Sequence, residues 1–217
     1  FSLEMDSAGH LLLEDRDGPS ASERVAAEVD PVQLEILNNL FMSIAEQMGN
    51  VLQRTALSTN IRERLDFSCA IFDRNLNVLA QSFAQANHLG SLVRMVPLAV
   101  EAYGAENFKP GDGIVLNDPF LGGVHLNDIT VISPVYSEGE LFGYVASLAH
   151  HVDVGGGAPA SIGAFQEVYQ EGVIIPPVRL VDDWTICDDV FRLILSQVRA
   201  CLLYTSDAAD EGLGVDL

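Results

Sequence analysis

Residues 129–151 read ITVISPVYSEGELFGYVASLAHH and carry the strongest β signal in the chain. Segments 129–136 and 141–151 are rich in β-branched and aromatic residues, which favour strands. The four residues between them, Ser137-Glu138-Gly139-Glu140, are typical of a hairpin turn. The pattern therefore predicts an antiparallel sheet built around this hairpin.

The second strand of the hairpin is predicted to have one apolar face. Side chains alternate between the two faces of a strand. Five residues are expected to share one face: Phe142, Tyr144, Ala146, Leu148 and His150. His151 falls on the other face, so two imidazoles leave the same strand end in opposite directions.

A long amphipathic helix is predicted before the sheet. It begins at Asp30-Pro31, because an aspartate caps a helix N-terminus and proline is tolerated at the first helical position. Apolar residues then recur every three or four positions: Leu34, Leu37, Phe41, Ile44, Met48 and Leu52. The helix is expected to end near Ser58-Thr59-Asn60. Its apolar stripe predicts either a core contact or an interface with a partner subunit.

The remaining periodic segments are short. Strands are predicted at 67–72, 77–81 and 114–116, and helices at 92–103 and 189–200. The chain shows no internal repeat and no βαβ alternation. The fold class predicted is α+β, with the long N-terminal helix packed on a mixed, largely antiparallel sheet.

Composition divides the chain into three parts. Residues 1–29 are polar and weakly periodic, which predicts a linker or the end of a preceding domain, poorly ordered. Residues 30–200 form the main domain. Residues 201–217 resemble a non-native tail and are left out of the fold prediction.

Charge and apolar content exclude several classes of partner. Lys and Arg number 11 against 31 Asp and Glu, a formal net charge of -20, which disfavours nucleic acid and anionic membranes as partners. The sequence contains no apolar run of membrane-spanning length and no signal-peptide pattern, so we expect a cytoplasmic protein. The three cysteines are far apart, which indicates neither a disulfide framework nor a zinc knuckle.

Two polar clusters carry potential metal ligands. The first is Gly122-Gly123-Val124-His125-Leu126-Asn127-Asp128, where glycines let an imidazole and a carboxylate three residues apart converge. The second begins at His150-His151 and includes Asp153. His125, Asp128 and one of the two later histidines would suit Zn, Mn or Fe(II). The alternative is structural: a turn cap, a satisfied core histidine and a strand-start acceptor.

Other polar residues have two interpretations. Arg62 and Arg64 could grip a carboxylate or phosphoryl oxygen, or they could be the ordinary cations of a helix C-terminus. His88 could be a ligand, a base or a buried turn residue. The sequence holds no phosphate-binding loop of the G-x-x-x-x-G-K-[ST] type, so any ATP used must be bound elsewhere, and no cofactor-binding residues are predicted.

Several motifs in register resemble the hydantoinase B and 5-oxoprolinase family. They read FMSIAEQMG (41–49), QRTA (53–56), IRERLDFSCA (61–70), NDP (117–119), GGVHLNDIT (122–130), HHVDVGG (150–156) and EGVIIPP (171–177). The chain departs from the family pattern at Ala84, Asn127 and Ala160, where histidine, proline and glycine are common. Family members also run several hundred residues further, so this chain resembles the N-terminal part of a larger hydantoinase B-type fold.

The resemblance implies a set of site residues. The family's metal ligands fall on His125, Asp128 and His150, and the metal would be Zn, Mn or Fe. Four residues become acid–base or supporting candidates, which we take as catalytic: Asp66, His88, His151 and Asp153. The candidate substrate contacts are Arg62, Arg64, Asn117 and Asp118.

The resemblance also implies an activity and a partner. It predicts a subunit or domain of an ATP-dependent hydrolase that opens a cyclic amide such as a hydantoin or 5-oxoproline. ATP would be used by a hydantoinase A-like subunit or fused domain, giving a hetero-oligomer. A carboxylase subunit of the acetone carboxylase type, using the same ligands, is one alternative. A non-catalytic assembly module that docks through the long helix is another.

Overall fold

The computed structural model describes residues 2–5, 11–14, 30–82 and 85–199. The tail predicted at 201–217 and most of the segment 1–29 lie outside these residues. The chain divides into two compact units, Phe1–Leu37 and Asn38–Leu217. In the first unit, strands β1 (Ser2–Met5) and β2 (Leu11–Glu14) pair antiparallel.

The predicted long helix is present as α1, Pro31–Thr55. It begins as expected, with the Asp30 carboxylate accepting the N–H of Val32 at 3.0 Å. It ends earlier than predicted, because the Ser58 carbonyl starts a separate short helix, α2 (Thr59–Arg62), by accepting the N–H of Arg62 at 2.9 Å. No helix among the described residues is long and apolar enough to cross a membrane.

A seven-stranded sheet forms the centre of the second unit. Its strands are β3 (Phe67–Asp73), β4 (Val78–Gln81), β5 (Gly113–Leu116), β6 (Asp128–Ser137), β7 (Glu140–His150), β8 (Val178–Asp182) and β9 (Thr185–Ile186). The order across the sheet is β4-β3-β7-β6-β5-β8-β9. The α+β class and the largely antiparallel sheet are confirmed, and every strand pair described is antiparallel.

Helices cover both faces of β3, which explains why that strand is buried along nearly its whole length. On one face, Met48 and Leu52 of α1 pack against Phe67 and Cys69. On the other face, the helix α3 (Ala86–Tyr103) packs against the alternate residues of β3. That second face holds the largest core cluster, whose members include Phe72, Leu92, Met95, Val96, Ile114, Ile132, Tyr144 and Leu148.

The helices α3 and α4 differ in length from the prediction. α3 begins six residues earlier than predicted, because Asn87, Gly90 and Ser91 are weak helix formers that hid its first turns. α4 is shorter than predicted and spans Asp188–Leu195.

The predicted face of β7 is interrupted by a bulge. Tyr144, Ala146 and Leu148 lie in the main core as expected, but Phe142 does not. The register shifts there, so that Val135 pairs with Gly143 and Tyr136 with Leu141, leaving Phe142 as an extra residue. Phe142 consequently stacks on Phe41 of α1, with ring centroids 6.3 Å apart. The strict alternation that we predicted for Phe142 is wrong for this reason.

Candidate metal centre

Four polar residues meet at one end of the central strands. Asp128 is the first residue of β6 and His150 the last residue of β7, and the two are paired directly across the ladder. Asp66 immediately precedes β3, and its carbonyl accepts the N–H of His150 at 2.9 Å. His88 lies in the first turn of α3. The sheet register therefore brings together residues that are far apart in sequence.

Asp128 is at the centre of this group and is fully buried. One carboxylate oxygen, Oδ1, lies 2.6 Å from His150 Nδ1. The other, Oδ2, accepts the backbone N–H of His125 at 3.0 Å and lies 3.2 Å from His125 Nδ1. The Asp128 N–H returns a bond to the His125 carbonyl at 3.1 Å. The loop before β6 is thus closed on itself, and both predicted imidazoles face the same carboxylate.

His88 completes the cluster from the helix side. Its side chain is 1% exposed, and its Nε2 lies 3.6 Å from Asp66 Oδ1 and 3.8 Å from Asp128 Oδ1. These separations are too long for hydrogen bonds, and His88 Nδ1 is also without a partner among the described residues. A buried imidazole without hydrogen bonds costs free energy, so the cluster is suited to a further group that His88 could contact.

The donor set fits a divalent cation. Ligand atoms of His88, Asp128 and His150 all lie within 4.8 Å of one another. Imidazole nitrogens and carboxylate oxygens bind zinc at about 2.0–2.2 Å, so two ligand atoms of one tetrahedral ion are about 3.4 Å apart. The predicted ligand His125 shares Asp128 with this set, and its ring lies 5.3 Å from that of His150 in an edge-on arrangement. Two imidazoles and one carboxylate are chemically appropriate for Zn, Mn or Fe(II).

The cluster also shifts the pKa values of its members. Burial raises the pKa of Asp128, but hydrogen bonds from His150 and the His125 amide outweigh it and leave the pKa below its usual value. The hydrogen bond to Asp128 raises the pKa of His150, against the opposing effect of burial. Burial lowers the pKa of His88, and the charges of Asp128 and Asp66 offset this only in part. Both shifts favour the charged forms, a carboxylate at Asp128 beside a protonated imidazole at His150.

Asn127 and His151 are joined to each other by two hydrogen bonds next to this cluster. The Asn127 side-chain amide donates to the His151 carbonyl at 2.8 Å, and the His151 N–H donates to the Asn127 carbonyl at 2.8 Å. This reciprocal pair fixes the residues next to Asp128 and His150. In the sequence Asn127 stands out only as a departure from proline, and the spacing of the motif does not predict that its amide joins the start of β6 to the end of β7.

Asp153 lies in a separate network. Its buried carboxylate accepts the N–H groups of Gly155 at 2.7 Å and Ala160 at 2.9 Å, and lies 3.4 Å from the Arg199 guanidinium. Burial raises the pKa of Asp153, but these hydrogen bonds and Arg199 outweigh it and lower the pKa. These contacts order the glycine-rich loop, and no described contact joins Asp153 to Asp128 or His150. A proton-transfer role for Asp153 stays a prediction.

The four predicted substrate contacts are not gathered at the cluster. Arg62 and Arg64 are exposed at the end of α2 and just beyond it. Asp118 caps the helical turn Pro119–Leu121 by accepting the N–H of Phe120 at 2.9 Å. Asn117 is completely buried. Within the described part of the chain, none of their side chains contacts Asp128 or His150.

The His151 side chain is predicted to make the metal-free protein sensitive to acid. Burial lowers its pKa to about 4, whereas the unfolded value is about 6.5. Between these values the unfolded chain binds more protons, so the free energy of unfolding falls as the pH drops from about 6.5 to 4. The full shift corresponds to roughly 3 kcal/mol, and residual solvent contact reduces this.

Urea unfolding in EDTA at several pH values measures this effect. His151→Gln should flatten the profile between pH 6.5 and 4, leaving the smaller slope due to His88, whose pKa is also lowered by burial. His150 does not contribute to this slope, because the stability that its raised pKa provides is fully present below about pH 6.5. An unchanged slope in His151→Gln would contradict the assignment.

Comparison with known proteins gives consistent results. The sequence model of the Hydantoinase B/oxoprolinase family matches residues 30–209. The chain is 41% identical over 183 residues to the 5-oxoprolinase of Dictyostelium discoideum, covering 84% of this chain and 14% of that protein. It is 44% identical over 174 residues to the uncharacterized protein MJ0963 of Methanocaldococcus jannaschii, covering 79% of this chain and 31% of that protein.

Two solved structures share the fold. The ATP-dependent caprolactamase from Pseudomonas jessenii superposes with a TM-score of 0.71 at 29% identity, covering 79% of this chain and 30% of that chain. Nucleotide-free acetone carboxylase superposes with a TM-score of 0.71 at 23% identity, covering 79% of this chain and 23% of that chain. The chain thus spans less than a third of the length of each of these four proteins.

Proposed function

The chain belongs to the hydantoinase B/oxoprolinase family, and from that membership we propose that it carries the metal-binding part of an ATP-dependent hydrolase of cyclic amides. The observation that carries the proposal is the buried Asp128 carboxylate with imidazoles around it. Such a group is costly to bury unless it is paired or binds a metal. The names of the relatives, 5-oxoprolinase and caprolactamase, support a cyclic amide as the substrate.

The proposed ligands are His125, Asp128 and His150, the set that the family resemblance implies. His88 is a further candidate ligand, because its ligand atom lies within 4.8 Å of those of Asp128 and His150, and Asp66 lies beside them. A divalent cation held there would supply Lewis acidity that polarises the substrate carbonyl. His150 Nδ1 lies 2.6 Å from Asp128 Oδ1, and a proton held between these two atoms must leave when the nitrogen binds a cation. The His125 side chain is 53% exposed, so a substrate can approach the centre from the side of this imidazole.

The remaining steps assign roles to neighbouring groups. His151 and Asp153 are proposed to accept a proton from the attacking water and pass it to the leaving amide nitrogen, with His88 and Asp66 as further candidates. Burial lowers the pKa of His151 to about 4, which keeps the imidazole neutral at pH 7, as a proton acceptor must be. Arg62, Arg64 and Asp118 stay candidate substrate contacts.

ATP and assembly are assigned to another polypeptide region. We propose that a hydantoinase A-like subunit or fused domain uses ATP to activate the substrate, and that the two form a hetero-oligomer in the cytoplasm. One relative is the caprolactamase subunit beta of Pseudomonas jessenii, and its being a subunit supports a multi-subunit enzyme. The likeness to acetone carboxylase, at 23% identity, concerns the fold and gives carboxylation no separate support.

Elemental analysis of the purified full chain tests the metal proposal. Roughly one Zn, Mn or Fe per chain is expected in the wild type, and a strong loss in His125→Ala and His150→Ala with the circular dichroism spectrum retained. Asp188→Asn is the control, because Asp188 is an exposed partner of Arg192 far along the chain. A folded, metal-free wild type would remove the metal from the mechanism.

Reconstitution with a hydantoinase A-type partner tests the reaction. ATP-dependent opening of 5-oxoproline, hydantoin or caprolactam would support the hydrolase, whereas turnover that needs bicarbonate and a ketone, without a cyclic amide, would support the carboxylase instead. His125→Ala should abolish ring opening without weakening partner binding. Loss of partner binding with unaltered chemistry would support the assembly module.

A further inference from the structure

Asn117 joins three separate segments of the chain next to the metal centre. It directly follows β5 and is completely buried. Its Nδ2 donates to the carbonyls of Leu126 at 2.7 Å and Val173 at 2.9 Å. Its Oδ1 accepts the N–H of Ile175 at 2.6 Å, and its own N–H donates to the Ile175 carbonyl at 3.0 Å.

These bonds use the donor capacity of the Asn117 side chain. A primary amide carries two N–H donors, and both are directed at backbone carbonyls. A substrate acceptor could bind the Nδ2 of this side chain only by displacing a bond inside the core, which would leave a buried carbonyl unpaired at a cost of about 1–3 kcal/mol. The geometry therefore disfavours a substrate contact and favours a structural task for the amide.

The loop that Asn117 holds carries His125. This loop contains Gly122, whose φ is +109°, and Gly123, so its backbone has conformational freedom. The Leu126 carbonyl bonded by Asn117 belongs to the residue that follows His125. The Leu126 side chain is buried in a small cluster with Val154 and Val198. The loop is thus fixed immediately beside the histidine while that imidazole stays half-exposed.

We infer that Asn117 is a positioning residue of the metal centre: by holding the Leu126 carbonyl it sets where His125 stands relative to Asp128. The inference rests on the proposed function, because His125 matters to the chemistry only if it binds the cation. Val173 and Ile175 lie in the segment after the glycine-rich loop, so the same amide also ties that segment to the end of β5.

Cobalt binding to the full chain tests the inference. Asn117→Ala removes all the side-chain bonds. Asn117→Asp keeps the size and the acceptor for Ile175 but turns a carboxylate oxygen toward two carbonyls. Supporting groups around metal ligands typically contribute about 10–100-fold in affinity. Both variants are expected to bind Co²⁺ about 10–100-fold more weakly, with an altered visible absorption band at saturation.

Tyr136→Phe is the matched control. It removes one hydrogen bond from a side chain to a backbone carbonyl, that of Phe108 at 3.0 Å, at the opposite end of β6. It should lose stability while keeping the wild-type cobalt affinity and band. Wild-type cobalt affinity and an unaltered absorption band in the Asn117 variants would overturn the inference. A raised KM for a cyclic amide with an unaltered band would indicate instead that Asn117 contacts the substrate.

Two further outcomes separate this inference from the proposed function. If the wild type binds no Co²⁺, the metal proposal fails, and amide hydrogen exchange decides the positioning role. Faster exchange over residues 120–128 in Asn117→Asp than in Tyr136→Phe would support it, and equal exchange would overturn it. Loss of the fold in both Asn117 variants would assign the residue to folding alone and would also overturn it.

Discussion

Replacing Asp128 with asparagine is expected to abolish metal binding and ring opening while leaving the protein folded. Asp128 contacts both His125 and His150, and its carboxylate is completely buried. The amide that replaces it is neutral and cannot offer two negatively charged oxygens. Residues that merely support metal ligands contribute about 10–100-fold in affinity, so loss of a direct ligand should exceed about 100-fold.

The free energy of unfolding should also change in the metal-free variant. The ion pair with His150 stabilises the protein between the lowered pKa of Asp128 and the raised pKa of His150. This stabilisation is lost as the pH falls through the pKa of Asp128 or rises through the pKa of His150. Asp128→Asn should therefore be destabilised at neutral pH in EDTA. Its free energy of unfolding should no longer change with pH through the titration of the pair formed by Asp128 and His150.

Asp112→Asn is the control for this experiment. Asp112 is also a buried aspartate, accepting the N–H of Lys109 at 3.0 Å and lying 3.6 Å from Arg179, away from the proposed metal centre. We expect it to lose stability and to keep a full complement of metal. Calorimetric titration of both variants with Zn²⁺ or Mn²⁺ makes the comparison. Metal binding by Asp128→Asn at wild-type affinity would contradict the proposed metal centre.

Much of the local structure could be predicted from the sequence. The hairpin at 129–151 was found because alternating side chains and a Gly-containing turn are signals within a few residues. The convergence of His125 on Asp128 was also local, since a glycine-rich loop and a three-residue spacing suffice. These predictions depend on backbone geometry that neighbouring residues determine almost alone.

The remainder of the site depends on contacts between distant segments. The register of β3 against β7, which places Phe67 opposite Ala149, is what brings Asp66 to His150. Asn117 bonds residues 56 and 58 positions away in the chain. Neither relation has a local signature, because long-range pairing is set by the packing of the whole sheet. Sequence reasoning therefore named Asn117 and Asp66 without finding what they contact.

The bulge at Phe142 shows a second kind of failure. Periodicity assumes an unbroken strand, and one extra residue reverses the faces beyond it. The only local indication was the Gly143 that follows, since glycine inside a strand often marks a bulge or a close approach of two backbones. The structure shows that Gly143 marks both.

Gly143 is where the sheet tolerates no side chain, because a Cβ there would lie 2.1 Å from the Phe72 carbonyl oxygen of β3. That atom belongs to the backbone of the neighbouring strand, so Gly143→Ala must push β3 and β7 apart at the centre of the sheet. Overpacking a core costs about 1–3 kcal/mol and occasionally more, and a backbone clash belongs at the upper end, so we expect a loss of at least about 3 kcal/mol by urea unfolding.

Gly90→Ala is the matched control, because a Cβ there meets nothing described within 4 Å, and alanine favours a helix over glycine by up to about 1 kcal/mol. Equal stability of the two variants would show that β3 and β7 can separate freely, and the register that joins Asp66 to His150 would then lose its support.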